Sequence, residues 1–417
     1  MPVAVYILAG GIFALVTSEF TVSGLMPQLA SDLGVGVPQI GYLVTVFALA
    51  MSVGGPILTA LLFRWPHKRA LLMLFAIFLT GNVLAALAPS YSILLVARLV
   101  TGAASGAFFG IAVTAAGQAV SAPLRARATA TALQGLMLGT TLGLPLATWI
   151  GGHWGWRAAF VGIGVLTVLA ATATAVALPP ADPTDPVDTA GTTDSASMRA
   201  ELGVFRSRRL WAVMGTSTLV IGAAFAGFSY FTPILSEDTG IALELIPLLL
   251  LAYGAVTVVG NAIVGRLASA HTLLTLVVGT TLSALFLTAF ALAAHTPWIA
   301  VPAMLGIGLV GVTMNPAMVT RVQRTGNTGA LVNTVNASMI TFGVVLGSAL
   351  GGIGIDRFGL RAPLWIGAVL AVLAVMVMLP ALFRGRGPGR SAVETAPAHQ
   401  MAGSDRCQRQ RAAEHAE

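Results

Sequence analysis

The chain has 417 residues, 56% of them apolar and only 9% charged, with 22 basic against 15 acidic side chains. A soluble domain carries roughly 25% charged residues, so this composition excludes a protein solvated by water alone. The net charge of +7 would suit a nucleic-acid binder, but the basic residues lie in short gaps between apolar blocks and form no stripe with interleaved aromatics.

The blocks fall at roughly 4–28, 39–63, 70–88, 92–118, 128–150 and 158–179, each of about the length that crosses ~30 Å of hydrocarbon. The first starts at Val3 with no basic leader and no small-residue cleavage site after it, so it is expected to be a retained helix. Pro179 to Arg209 is a polar stretch without hydrophobic period. Six further blocks follow at roughly 210–234, 244–266, 272–294, 298–320, 329–353 and 362–383. The expected organisation is a six-helix half over 1–179, a cytoplasmic linker over 180–209, a second half over 210–383 and a disordered cytoplasmic tail over 384–417.

Lys and Arg set the orientation. With the N-terminus inside, 18 of the 22 basic residues fall in cytoplasmic segments and three, Arg157, Arg357 and Arg361, fall outside. Under the positive-inside rule both termini face the cytoplasm. The expected location is a bacterial inner membrane, spanned many times.

The halves repeat each other. Pro27-Gln-Leu-Ala-Ser-Asp32-Leu-Gly34 returns as Pro233-Ile-Leu-Ser-Glu-Asp238-Thr-Gly240, and Gly155-Trp-Arg157-Ala returns as Gly359-Leu-Arg361-Ala. Gly139-x3-Gly143 likewise returns as Gly343-x3-Gly347. The predicted fold is all-α, with twelve transmembrane helices in two parallel six-helix bundles around a central cavity. Such repeats place the binding site near the midplane, where the halves meet.

Enzyme signatures are missing: no phosphate loop, no nucleophile elbow and no Cys/His metal spacing. The single cysteine, Cys407, excludes an internal disulfide. Neither cofactor nor metal is expected, nor an obligate protein partner; the expected partners are a small-molecule substrate, protons and the lipid bilayer.

Of the fifteen carboxylates, fourteen fall in or beside loops, the linker or the tail. The other is Glu19, near the middle of the first helix. A charge at mid-bilayer costs on the order of 3 kcal/mol, which favours the protonated form and suits a proton carrier. Its bland alternative is a carboxyl that hydrogen-bonds a neighbouring helix. Arg98 is the embedded cation. It either modulates Glu19 or bonds helix carbonyls and holds its half together, and the sequence leaves both open.

Gly135, Gly139, Gly143, Gly151 and Gly152 form a small-residue stripe on the fifth helix, suited to close packing, and Pro145 predicts a bend. The third, sixth, ninth and twelfth helices are almost free of polar groups and read as lipid-facing supports. Amides and aromatics elsewhere give candidate substrate contacts at Phe109, Gln134, Phe228, Asn315, Asn333 and Asn336, each weighed against plain packing. Apolar walls with a few amides suit an uncharged, partly apolar ligand.

These residues resemble the major facilitator superfamily, in particular its twelve-span drug:proton antiporters, from about residue 4 to 383. Arg98-Leu-Val-Thr-Gly102-Ala-Ala-Ser-Gly106 is similar to the fourth-helix motif, and Gly139-Thr-Thr-Leu-Gly143-Leu-Pro145 to the fifth-helix antiporter motif. Thr17-Ser-Glu19-Phe with Gly24-Leu-Met-Pro27 is similar to chloramphenicol-resistance exporters and their sugar-efflux relatives. The loop after the second helix departs from the family: Phe63-Arg64-Trp65-Pro66-His67 stands where Asp-Arg-x-Gly-Arg is usual. The resemblance implies export of a small amphiphile, chloramphenicol or a metabolite, in exchange for protons. It also implies that Gly102, Gly106, Gly139, Gly143, Pro145, Gly343 and Gly347 serve gating or packing. Export of sugars or glycosides is the alternative within the family. A non-transporting scaffold or sensor is the alternative outside it, and would not need a lone mid-membrane carboxylate.

Overall fold

The computed structural model describes residues 1–62, 65–178, 203–326 and 330–384. Most of the expected linker and the tail after Arg384 lie outside the described residues, as do Phe63 and Arg64. Among the described residues, twelve helices are long and apolar enough to cross a membrane. They are α1 (Val3–Gly24), α2 (Val37–Leu62), α3 (His67–Ala86), α4 (Tyr91–Gln118), α5 (Arg127–Trp154), α6 (Trp156–Ala177), α7 (Arg208–Asp238), α8 (Ile246–Ala268), α9 (Ala270–Leu292), α10 (Pro297–Thr325), α11 (Ala330–Phe358) and α12 (Ala362–Arg384). Hydrocarbon offers backbone groups no water, so each apolar block closes its hydrogen bonds within a helix.

Residues Met1–Leu379 form one compact unit in which the two six-helix bundles pack together. The expected spans α8 and α9 follow each other almost directly, and non-helical backbone at His271 (φ −132°, ψ 55°) marks the kink between them. The fifth helix is not a plain helix bent at its proline. It widens into a π-turn at Gly139–Gly143, and Pro145 stands in the first turn of the next segment, Leu144–Trp154. Proline has no N–H for the carbonyl one turn back and its ring crowds that carbonyl. The wider register relieves both, so the distortion sits one turn before the proline.

The sequence repeat is a structural repeat. The positive-φ residues among those described are Gly34 (63°) and Gly240 (73°), and Gly155 and Gly359 (both 82°). Each occupies the same turn in its half, in a conformation that a Cβ would strain. Helix contacts repeat as well. A Cβ on Gly139 would meet Val16 of α1 at 2.6 Å, and one on Gly343 the Thr218 carbonyl of α7 at 2.6 Å. Gly143 and Gly347 press on α1 and α7 one turn further along. On α4, a Cβ at Gly102 would meet the Phe47 carbonyl of α2 at 2.5 Å, and Gly106 meets α2 at Met51. Gly152, counted in the expected stripe, faces open space.

The outer surface is apolar. Val161, Val165 and Leu169 of α6 and Leu274, Val278 and Leu285 of α9 are exposed, as membrane contact requires. Exposed Trp154, Trp298 and Trp365 mark one end of the bundle, and Trp65 and Trp211 the other, in the manner of interfacial aromatic belts.

Candidate functional site: a cavity between the two halves

A cavity of about 460 Å³ lies between the bundles. Its wall comes from α1, α2, α4 and α5 of the first half and from α7, α8, α10 and α11 of the second. The helices expected to be outer supports, α3, α6, α9 and α12, contribute none of it.

Glu19 opens into this space. Around it stand Phe20, Phe225 and Phe228, with Phe20 edge-on to Phe228 at 5.4 Å. Phe228 stacks on Tyr253 of α8 at 5.4 Å, and Tyr253 also lines the wall. Among the described residues, no hydrogen bond or ion pair reaches the Glu19 carboxyl. Arg98 does not supply one. Its guanidinium is 1% exposed and donates to the Ser18 carbonyl at 2.8 Å and the Glu19 backbone carbonyl at 3.0 Å. It also lies over the Phe47 ring at 4.1 Å. Ser18 in turn donates to Asn82 of α3 at 3.2 Å. These contacts brace α4 against α1, and they are compatible with an influence of the cation on the acid. The acid faces the cavity while the cation stays within the helix packing.

Phe109, Phe228 and Asn315 line the wall as expected of substrate contacts. Gln134 does not: it is exposed and lies outside the wall. The stripe of α5 that faces inward is Leu136, Met137 and Thr140, and Gln134 precedes it on another face of the helix. Asn336 is buried at 2% exposure and is also outside the wall. The side chain of Asn333 lies outside the described residues.

Sequence reasoning missed Tyr253, Thr257, Thr313 and Thr341, all in the wall. One signal was available. Tyr253, Thr257 and Asn261 recur every fourth residue, which puts three polar side chains on one face of an apolar helix. Both halves supply polar wall residues: Tyr253, Thr257, Asn261, Thr313, Asn315 and Thr341 come from the second, and Ser105, Thr140 and the acid from the first.

The two halves meet across this space through α5 and α8. Thr141 of the π-turn donates to the Gly254 carbonyl at 3.4 Å, and Asn261 Nδ2 approaches Met137 Sδ at 3.9 Å. The chamber is walled by both bundles and combines one acid, without a hydrogen-bond or ion-pair partner among the described residues, with several hydroxyls and amides. Groups of acids, histidines or cysteines able to hold a metal are absent among the described residues.

Comparison with known proteins agrees with this architecture. The sequence model described as Major Facilitator Superfamily matches residues 8–341. A chloramphenicol resistance protein of Streptomyces lividans is 30% identical over 382 residues, covering 91% of this chain and 96% of that one. The inner membrane transport protein YdhP of Escherichia coli (strain K12) is 31% identical over 373 residues, covering 89% and 94%. Among solved structures, a bacterial homologue of the human lysosomal transporter Spinster, in an inward-facing and occupied conformation, superposes with a TM-score of 0.75 at 16% identity, covering 91% of this chain and 96% of that one. A D-xylose–proton symporter superposes with a TM-score of 0.73 at 15% identity, covering 90% and 95%.

Proposed function

The chain belongs to the major facilitator superfamily, and from that premise we propose that it is a bacterial inner-membrane exporter that exchanges small amphiphilic molecules for protons. The observation that carries this reading is Glu19: an acid with no hydrogen-bond or ion-pair partner among the described residues, opening into an apolar and aromatic chamber where the halves meet. An ionisable residue so placed marks a functional site by default, and proton relay is among the roles such residues serve. The driving force is adequate. One charge over 100 mV gives ~2.3 kcal/mol and one pH unit ~1.4, together enough for roughly a 500-fold gradient of a neutral solute.

The basic residues support a topology with both termini in the cytoplasm. The proposed substrates are chloramphenicol or a comparable neutral amphiphile, as the 30% identity to a chloramphenicol resistance protein supports. Expression in an efflux-deficient bacterium, with a susceptibility panel that includes phenicols, tests this. Resistance should rise. The six hydroxyl and amide side chains contributed by the second half favour a second reading, export of a sugar or glycoside. Unchanged susceptibility with falling intracellular sugar would put that reading first.

A further inference from the structure

On the face opposite the chain termini, the cavity ends beneath a contact that the chemistry above does not use. Tyr230 is wholly buried where α7 breaks its helical course, at φ −117° and ψ 12°. Its hydroxyl donates to the Ser348 carbonyl of α11 at 2.7 Å. The ring lies in a slot bordered by three glycines. A Cβ on Gly41 of α2 would meet Tyr230 Cζ at 2.6 Å, one on Gly351 the ring edge at 2.6 Å, and one on Gly352 the hydroxyl at 2.9 Å. Gly41 belongs to the first half, and Gly351 and Gly352 to the second. The slot therefore spans the seam.

Thr45 of α2 completes the junction, with its hydroxyl 2.9 Å from Ser348 Oγ. Ser348 Oγ donates to the Val344 carbonyl at 2.7 Å, so Thr45 is the donor across the seam. Val344 lines the cavity, and Ser348 stands one turn, ~6 Å, beyond it. The closure thus lies directly past the chamber.

The internal repeat isolates the cause. Gly24 stands 206 positions before Tyr230, in the equivalent place at the end of α1. A side chain there would run into Thr148 and Leu144 of its own half. Of these two equivalent positions, only the one in the second half carries a ring.

We propose that Tyr230 is the latch that closes the face opposite the termini, and that opening this face requires the ring to leave its glycine slot. The inference rests on the transport reading, which needs a site reached from each face in turn. The hold is modest: one neutral hydrogen bond and one buried ring, a contact that can be broken and remade.

The test is cysteine labelling. Val344→Cys in a Cys407→Ser background places a thiol on the cavity wall, and native Cys407 in a parallel sample marks the face of the termini. A membrane-impermeant methanethiosulfonate is applied to intact cells and to inverted vesicles. The Val344→Cys thiol should react readily from the terminal face and slowly from the other. Tyr230→Phe keeps the ring and removes the bond to Ser348, so labelling from the far face should rise roughly fivefold, the shift expected for one neutral hydrogen bond. Tyr230→Ala and Gly41→Ala, which vacate or fill the slot, should raise it further. Unchanged far-face labelling in Tyr230→Phe and Tyr230→Ala, at native thermal stability, would overturn the proposal. The readout needs neither substrate nor proton gradient. Efflux with unmoved labelling removes the latch alone, and moved labelling without efflux of any panel compound removes the exporter reading alone.

Discussion

Arg361 donates through Nε to Asp238 Oδ2 at 2.8 Å, and their counterparts in the first half, Arg157 and Asp32, approach to 3.7 Å. The two sequence repeats are thus partners within each half, tying the short helix after α1 (Met26–Leu33) to the start of α6 and the end of α7 to the turn before α12. The second pair is the more enclosed, with Asp238 19% exposed against 53% for Asp32. His295 adds a contact to the Asp238 backbone carbonyl at 2.9 Å, and Trp156 Nε1 donates to Asp32 at 2.9 Å.

The two pairs should differ in strength. A double-mutant cycle on Asp238→Asn and Arg361→Gln, read by thermal unfolding in detergent, should give a coupling of about 1–3 kcal/mol, as for a hydrogen-bonded charge pair. The same cycle on Asp32 and Arg157 should give less than about 1 kcal/mol, as for an exposed pair. Equal couplings would show that burial does not set their strength.

Glu19→Gln should abolish efflux driven by a pH gradient while leaving protein levels unchanged. Glutamine keeps the size of the protonated acid but releases no proton, and it removes a potential charge that costs on the order of 3 kcal/mol at mid-membrane. Glu19→Asp should retain part of the coupling. Efflux of a radiolabelled substrate from energised vesicles, with protein matched by blot, checks this. Wild-type efflux by Glu19→Gln would place the proton elsewhere.

Arg98→Met should destabilise the fold rather than merely alter coupling. It removes two charge-assisted bonds to α1 and the stacking on Phe47. Relief of a buried charge offsets part of the loss, leaving a net cost of about 2–3 kcal/mol by thermal unfolding. An unchanged melting temperature would show that Arg98 braces nothing.

The glycines should divide by the space around them. Gly347→Ala and Gly106→Ala drive a methyl into the facing helix backbone and should cost about 1–3 kcal/mol. Gly152→Ala meets nothing within 4 Å and should be neutral or stabilising by up to about 1 kcal/mol. Comparable losses at all three would contradict this geometry.

Orientation is open to a direct measurement. A reporter fused after Arg209 or Arg384 should read cytoplasmic, and one near Asp32 or Asp238 external. External signal after Arg209 would overturn the proposed topology.

The sequence alone determined the number of spans, the repeat and the one embedded acid. All three follow from local chemistry: block length against bilayer thickness, turn glycines at fixed offsets, and the cost of a charge in hydrocarbon. The lack of polar groups in α3, α6, α9 and α12 likewise set them apart from the cavity, whose wall they do not join. What the tertiary structure decided were the directions of side chains across helix seams. Gln134 and Asn336 carry the same amide as Asn315, yet only Asn315 lines the cavity, because rotation about each helix axis is set by neighbouring helices and not by composition. The sequence left the hydrogen-bond partners of Arg98 open, and packing against Phe47 and α1 gave it backbone carbonyls. Tyr230 read as one aromatic among several. Its place across the seam follows from glycines on two other helices, Gly41 and Gly351, which lie too far apart in the chain for any local pattern to join them.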